Sequence, residues 1–101
     1  MIQYLQKMET QKVRAEIIVN GFVQGVGFRY FVARNAEQLL LKGFTQNLYS
    51  GEVYTVVEGE LAMIEELYNR IKVGPRHADI KNTSIKWSES KNEFTKFEIR
   101  Y

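Results

Sequence analysis

Residues 21–29, Gly21-Phe22-Val23-Gln24-Gly25-Val26-Gly27-Phe28-Arg29, separate two stretches whose hydrophobic patterns have different periods. Apolar and more polar side chains alternate over residues 13–20, which predicts a strand with one apolar face. Residues 28–42 instead carry apolar side chains at three- and four-residue spacing, which predicts a helix with an apolar stripe. The quoted stretch is therefore a glycine-rich loop between a strand and a helix.

The glycines of this loop, Gly21, Gly25 and Gly27, leave no Cβ atom between the backbone amides and a ligand. Amides placed before a helix N-terminus are a ready site for an anion, and phosphate is the common one. Arg29 stands in the first turn of the predicted helix, where a cation opposes the helix dipole at a cost of about 0.3–1 kcal/mol. An anion bound between the amides and the guanidinium reverses that cost, so we interpret the loop as an anion site.

The rest of the chain continues the alternation of strands and helices. Gly43 is predicted to end the first helix, and Gly74-Pro75 is predicted to end a second helix that begins near Leu61. Further strands are predicted over residues 44–49, 52–58, 80–88 and 94–101, and the first two form a hairpin about Ser50-Gly51.

This element order predicts an α+β fold of the ferredoxin-like, split βαβ type. The order is βαββαβ plus a C-terminal strand, in a mixed, largely antiparallel sheet with two helices on one face. We expect one domain over residues 13–101, preceded by an extension over residues 1–12 that is either a short docking helix or a loose segment. Met8 is an alternative start.

Composition narrows the class of protein. The chain has 101 residues, of which 45% are apolar and 26% charged, as expected for one soluble domain without a membrane span. The net charge of +2 suits a small anionic ligand and gives no separate argument for nucleic acid. The absence of cysteine excludes disulfides, zinc–thiolate sites and thiol catalysis. No secretory signal is recognisable, so a cytoplasmic location is expected.

Asn47 is the second candidate for chemistry. Asparagine is depleted in strands, yet Asn47 lies in the predicted strand 44–49. One interpretation is that it begins the following turn, where asparagine is favoured. The other is that its amide, which both donates and accepts hydrogen bonds, positions a water molecule for attack.

The remaining polar candidates give weaker signals. Gln24 is either a hydrogen-bonding residue of the loop or a solvated side chain. His77 is the only histidine, so a multi-histidine metal site is excluded, and neither a metal nor another cofactor is expected. Glu58 and Glu60 flank Gly59 and are interpreted as a solvated turn rather than a catalytic pair.

The loop over residues 21–29 resembles the first signature of the acylphosphatases. A second signature of that family resembles Gly43-Phe44-Thr45-Gln46-Asn47 followed by Gly51, Val53 and Gly59. The two signatures occur in the family's order and spacing, and residues 13–101 match its length and element order. Thr45 departs from the family, which usually has a small apolar residue there.

This resemblance implies an enzyme that hydrolyses the carboxyl–phosphate bond of acyl phosphates to a carboxylate and inorganic phosphate, without a metal or a covalent intermediate. Arg29 would bind the phosphoryl group together with the loop over residues 23–28, and Asn47 would orient the attacking water. The phosphate-binding residues are then Val23, Gln24, Gly25, Val26, Gly27, Phe28 and Arg29. The implied partners are a small acyl phosphate and inorganic phosphate as product and inhibitor, and the expected state is a monomer that binds neither membrane nor nucleic acid.

Two other functions compete with this one. RNA-recognition domains share the fold plan and stack bases on aromatic side chains of the sheet, for which Tyr54, Trp87 and Tyr101 are available. A related reading is a regulatory, non-enzymatic module that binds a small anion. Within the enzymatic interpretation, carbamoyl phosphate is an alternative substrate, because the same module begins larger hydrogenase-maturation proteins.

Overall fold

A computed structural model of the protein describes residues 11–101. Residues 1–10, which make up most of the predicted extension and include Met8, lie outside the described residues. The elements in chain order are β1 (Lys12–Phe22), α1 (Phe28–Gln38), β2 (Lys42–Asn47), β3 (Val53–Glu60), α2 (Leu61–Val73), β4 (Asp79–Glu89) and β5 (Phe97–Arg100). Within this part of the chain, neither helix is long and apolar enough to cross a membrane.

The five strands form one sheet in the order β4-β1-β3-β2-β5. β1 pairs antiparallel with both β3 and β4, β2 pairs antiparallel with β3, and β5 runs parallel to β2. The two helices contact each other; α1 packs on β2 and β5, and α2 packs on β1, β3 and β4. The predicted ferredoxin-like plan with a mixed sheet is confirmed.

The core lies between the sheet and the two helices. The alternating residues Ala15, Ile17 and Val19 of β1 are almost completely buried, as the sequence pattern predicts. The helices contribute the stripe residues Phe28, Val32, Ala36, Ile64, Leu67 and Ile71 to the same cluster. Since β1 is paired on both sides, with β3 and β4, and its inward side chains are buried, the start of the loop that follows it is held in place.

The first helix ends earlier than predicted, at Gln38 instead of about residue 42. Leu40 adopts a left-handed conformation with φ 59°, and its N–H donates to the carbonyl of Glu37 (3.1 Å). The N–H of Leu41 donates to the carbonyl of Ala36 (2.9 Å). These two bonds close the last turn around a leucine in the position that glycine usually occupies.

Gly43 therefore does not end the helix but lies inside β2. It pairs with Val57, and a Cβ atom at this position would lie 1.9 Å from the carbonyl oxygen of Val56. The glycine is required because the backbone of β3 approaches too closely for any side chain. The prediction of a helix-terminating glycine was wrong for this steric reason.

The face of the sheet away from the helices is crossed by the connection between β4 and β5. These strands lie at opposite edges, and Phe94 of the connection packs on Phe44 of β2 with ring centres 5.9 Å apart. Glu58 is only 6% exposed; its carboxylate accepts hydrogen bonds from the backbone N–H groups of Lys91 (2.6 Å) and Glu93 (3.2 Å). The prediction that Glu58 lies in a solvated turn was wrong, because the crossing segment covers it.

Candidate active site

The loop after β1 and the C-terminal end of β2 meet at the same end of the sheet. β1 and β2 both run antiparallel to the strand between them, β3, so their C-terminal ends lie side by side. A cavity of about 110 Å³ opens there between the loop and Asn47, the last residue of β2. Its lining consists of Val23, Gly25, Gly27, Phe28, Arg29, Tyr30 and Asn47.

The loop is held in a fixed shape by its buried ends and its glycines. Val23 and Phe28 are nearly fully buried in the core at either end of the loop. Between them, Gly25 and Gly27 have φ values of 76° and 77°, in the left-handed region that favours glycine. This shape lets the chain reverse tightly at the cavity without a side chain intruding.

Gly27 also occupies the N-cap position of α1. No side chain of the described residues caps this helix, and its first turn contains no acidic residue. The first N–H groups of a helix have no partner within the helix, and here the N-cap residue and the first three residues of α1 line the cavity. The predicted anion site thus has the backbone donors that an anion requires.

Arg29 lines the cavity and is held from the opposite side by the end of β5. Its Nη1 donates a 2.8 Å hydrogen bond to the carbonyl oxygen of Arg100, and its Cζ lies 4.6 Å from the ring centre of Tyr101. A guanidinium has five N–H donors in a planar fork, so further donors are available to a ligand. The contacts with β5 fix the orientation of that fork.

Asn47 contributes a buried acceptor to the cavity. Its Oδ1 atom is fully buried and has no hydrogen-bond partner among the described residues. A buried acceptor without a partner costs about 1–3 kcal/mol, and such atoms are exceptional in folded proteins. Asn47 lines the cavity, so a water molecule or a ligand group bound there would lie beside this amide.

Two residues of the predicted phosphate-binding set direct their side chains away from the cavity. The Nε2 of Gln24 donates to the carbonyl oxygens of Leu48 (2.8 Å) and Glu52 (3.0 Å), and Val26 packs against the core. Their backbone amides still belong to the loop. Of the two readings that the sequence leaves open for Gln24, the structure shows the hydrogen-bonding one, which joins the glycine loop to the β2–β3 turn.

Sequence reasoning missed Tyr30 as part of the cavity and did not place Tyr101 beside Arg29. The main cause of the raised pKa of Tyr101 is a hydrogen bond with the hydroxyl of Tyr30, and the charge of Arg29 acts in the opposite direction. In the sequence, nothing distinguishes a tyrosine that lines a site from any other exposed tyrosine on a helix. The pairing arises only because β5 brings residues from the far end of the chain to this edge.

The aromatic platform considered for RNA is not assembled. Tyr54 pairs with Ile18 of β1 and Trp87 pairs with Ala15, so their side chains point to opposite faces of the sheet. Tyr54 also donates a hydrogen bond to the carboxylate of Glu16, and burial together with that carboxylate raises the pKa of Tyr54 to about 12. The negative charge of the Glu16 carboxylate would repel the phosphate groups of a nucleic acid.

The other predicted polar candidates lie elsewhere. His77 is exposed in the connection between α2 and β4, and Glu60 ends β3 at the opposite edge of the sheet from the glycine loop. A larger cavity of about 490 Å³ lies at that opposite edge, with Lys12, Lys42, Glu58 and Glu60 in its lining. Its two glutamates offset its two lysines, so it lacks the excess of positive charge that would attract an anion. Residues 11–101 contain no group of three His, Asp or Glu side chains arranged to hold a metal ion.

Comparison with known proteins places the chain in a family. The family model described as acylphosphatase matches residues 15–99. The chain is 48% identical to an acylphosphatase of Moorella thermoacetica over 88 residues, which cover 87% of this chain and 94% of that protein. The crystal structure of acylphosphatase from Bacillus subtilis superimposes with a TM-score of 0.85 at 34% identity, covering 88% of this chain and 99% of that one.

A much larger protein contains a similar unit. Full-length HypF, solved in a phosphate- and nucleotide-bound form, matches 90% of this chain with a TM-score of 0.79 and 34% identity, but only 12% of its own length is covered. The family model matches most of the chain, and the relatives of similar length are matched over nearly their whole length. This chain belongs to the acylphosphatase family.

Proposed function

We propose that this chain hydrolyses the carboxyl–phosphate bond of acyl phosphates, yielding a carboxylate and inorganic phosphate. The observation that carries the proposal is the buried, unpartnered Oδ1 of Asn47 in the same cavity as Arg29 and the glycine loop. The cavity thus combines donors for an anion with an acceptor for a water molecule. The relatives named acylphosphatase support the same activity.

The phosphoryl group is bound by the loop and by Arg29. Gly25, Gly27 and Phe28 of the loop line one small cavity together with Arg29, whose guanidinium fork can match two phosphoryl oxygens at once. These donors stabilise the negative charge that the transferred phosphoryl group carries in the transition state. The hydrogen bond from Arg29 to the carbonyl of Arg100 fixes the guanidinium before the substrate arrives.

The attacking water is oriented by Asn47. The water donates one hydrogen bond to Oδ1 and directs a lone pair at phosphorus, on the side opposite the acyl oxygen. The new bond joins water oxygen to phosphorus, and the bond between phosphorus and the acyl oxygen breaks with its electron pair. The carboxylate leaves, and the proton of the water passes to a phosphate oxygen or to solvent.

This chemistry requires neither a strong base nor a metal. The leaving group is a carboxylate whose conjugate acid has a pKa of about 4, so it departs without being protonated first. Positioning and charge stabilisation are sufficient for such a substrate. A monomeric state and a cytoplasmic location remain predictions from the sequence.

Hydrolysis of benzoyl phosphate by the purified chain, followed by its ultraviolet absorbance, tests this function. We expect turnover that resists chelation by EDTA and competitive inhibition by inorganic phosphate. Arg34→Ala serves as a control for Arg29→Ala, because Arg34 is exposed on the same helix outside the cavity. Absence of acyl phosphate hydrolysis in the wild-type chain, or equal effects of the two arginine substitutions, would contradict the proposal.

A further inference from the structure

The cavity is too small to enclose a complete acyl phosphate with a sizeable acyl group. Its volume is about 110 Å³, whereas pockets that enclose drug-sized ligands measure roughly 300–1,000 Å³. The donors for the phosphoryl group line the cavity itself. The acyl group of the substrate must therefore lie on the rim, against side chains that are exposed in the free protein.

The rim beside Arg29 is aromatic. Tyr30 lines the cavity with 64% of its surface exposed, and Tyr101 is 90% exposed beside it. Tyr101 stacks on the guanidinium of Arg29 at 4.6 Å. Both rings therefore lie at the phosphate-binding arginine, since Tyr30 follows it in the chain and Tyr101 is stacked on its guanidinium.

The reaction geometry brings the acyl group to this side. Attack is in line, so the leaving oxygen lies across the phosphorus atom from the water held by Asn47. Asn47 belongs to the wall formed by β2, whereas Tyr30 belongs to the wall formed by α1. An aromatic ring on the acyl group gains dispersion and edge-to-face contacts with exposed tyrosines, which a methyl group cannot match.

We propose that Tyr30 and Tyr101 form the subsite for the acyl group and that this subsite favours acyl phosphates with an aromatic or extended apolar acyl group over acetyl phosphate. The inference rests on the proposed function and adds the substrate class. It assigns the tyrosines to specificity, whereas Arg29, the loop amides and Asn47 act on the phosphoryl group that every substrate shares.

The ratio of kcat/KM for benzoyl phosphate to kcat/KM for acetyl phosphate tests the inference. Tyr30→Ser removes the ring, Tyr30→Phe keeps the ring without the hydroxyl, and Tyr101→Ser removes the second ring. Tyr49→Ser is a matched control, because Tyr49 is an exposed tyrosine in the β2–β3 turn that does not line the cavity. Circular dichroism verifies folding, and inhibition by inorganic phosphate reports on the shared phosphoryl site.

We expect each serine substitution in the subsite to lower this ratio about three- to tenfold, the value of one aromatic contact. Tyr30→Phe and Tyr49→Ser should leave the ratio unchanged, and Tyr30→Ser should leave the inhibition constant of phosphate unchanged. A fall in kcat/KM by the same factor for both substrates would overturn the inference and assign the tyrosines to positioning Arg29. A wild-type chain that hydrolyses neither substrate would instead contradict the proposed function itself.

Discussion

The Nε2 of Gln24 donates a 2.8 Å hydrogen bond to the carbonyl oxygen of Leu48, the residue that follows Asn47. A second bond from the same nitrogen reaches the carbonyl of Glu52 at 3.0 Å. The loop that supplies the amides is therefore joined directly to the turn that begins at Asn47. This one side chain sets the distance between the phosphate-binding and the water-orienting parts of the site.

Gln24→Ala should reduce kcat more than it weakens phosphate binding. Loss of two hydrogen bonds lowers the free energy of unfolding by about 1–3 kcal/mol. A shift of Asn47 by roughly 1 Å is enough to lower kcat up to about 10²-fold. Steady-state kinetics with benzoyl phosphate and urea unfolding measure both effects.

Gln46→Ala is the control for this prediction. Gln46 is a glutamine next to Asn47, but alternation along β2 places it on the other face of the sheet. Equal kinetic effects of the two glutamine substitutions would contradict the positioning role of Gln24.

Gly27→Ala tests the shape of the loop. Gly27 has φ 77°, and an alanine in the left-handed region costs about 1–2 kcal/mol of stability. Among the described residues, a Cβ atom at Gly27 meets no neighbouring atom within 4 Å, so the methyl group would occupy open space at the cavity. We expect the inhibition constant of inorganic phosphate to rise.

Gly51→Ala is the control for Gly27→Ala, because it introduces the same kind of backbone strain away from the cavity. Gly51 has φ 99° in the β2–β3 turn and does not line the cavity, and a Cβ atom there would also meet no atom of residues 11–101 within 4 Å. It should lose a similar amount of stability and leave the inhibition constant unchanged. If phosphate inhibits the Gly27 variant as strongly as the wild-type chain, the loop is not its binding site.

The fold should lose stability in acid, because Glu58 then becomes protonated and its stabilising contribution is lost. Burial alone would raise the pKa of this carboxyl, but the backbone N–H of Lys91, the guanidinium of Arg14 and the N–H of Glu93 outweigh burial and lower it. The ordinary value is 4.5, so the stabilisation is complete above pH 4.5 and is lost as the pH falls through the lowered folded-state pKa.

Urea unfolding between about pH 7 and pH 3 measures this contribution. Glu58→Gln should lower the free energy of unfolding by about 1–3 kcal/mol at neutral pH and flatten its dependence on pH below 4.5. Glu65→Gln, an exposed glutamate of α2, is the control. An unchanged acid dependence in the Glu58 variant would show that the connection over residues 90–96 is held by other contacts.

The stabilising contribution of Tyr54 should have the opposite dependence on pH and be lost in alkali. Burial first, and then the hydrogen bond and charge of Glu16, raise its pKa from 10.0 to about 12. Its stabilising contribution is therefore complete below pH 10 and is lost as the pH rises through about 12. Ultraviolet titration of the wild-type chain should show a component with this late midpoint that is lost in Tyr54→Phe; an unchanged titration curve would contradict the assignment.

Local chemistry explains which features the sequence predicts. The loop over residues 21–29 is recognisable because its glycines and the change of period are adjacent in the chain. Asn47 is recognisable because asparagine is unusual in an apolar strand. The strands and helices of the fold follow from their periodicity, so the prediction of the ferredoxin-like plan needed no tertiary information.

Features that the residue pattern does not signal were missed or misplaced. α1 ends at a left-handed leucine because backbone hydrogen bonds close its last turn, and leucine is not a residue that signals this. Glu58 is buried by a segment more than thirty residues away. Arg29 is held by Arg100 only because β5 pairs with β2, a parallel pairing that residue patterns do not specify.

The most direct test of the central claim compares Asn47→Ala with Arg29→Ala, measuring kcat for benzoyl phosphate and the inhibition constant of inorganic phosphate. Removing the water-orienting amide should lower kcat about 10²–10³-fold, the effect of losing one preorganised polar group, and leave the inhibition constant unchanged. Arg29→Ala should lower kcat and also weaken inhibition by phosphate. Near-wild-type turnover by the Asn47 variant, at an unchanged inhibition constant, would contradict the account.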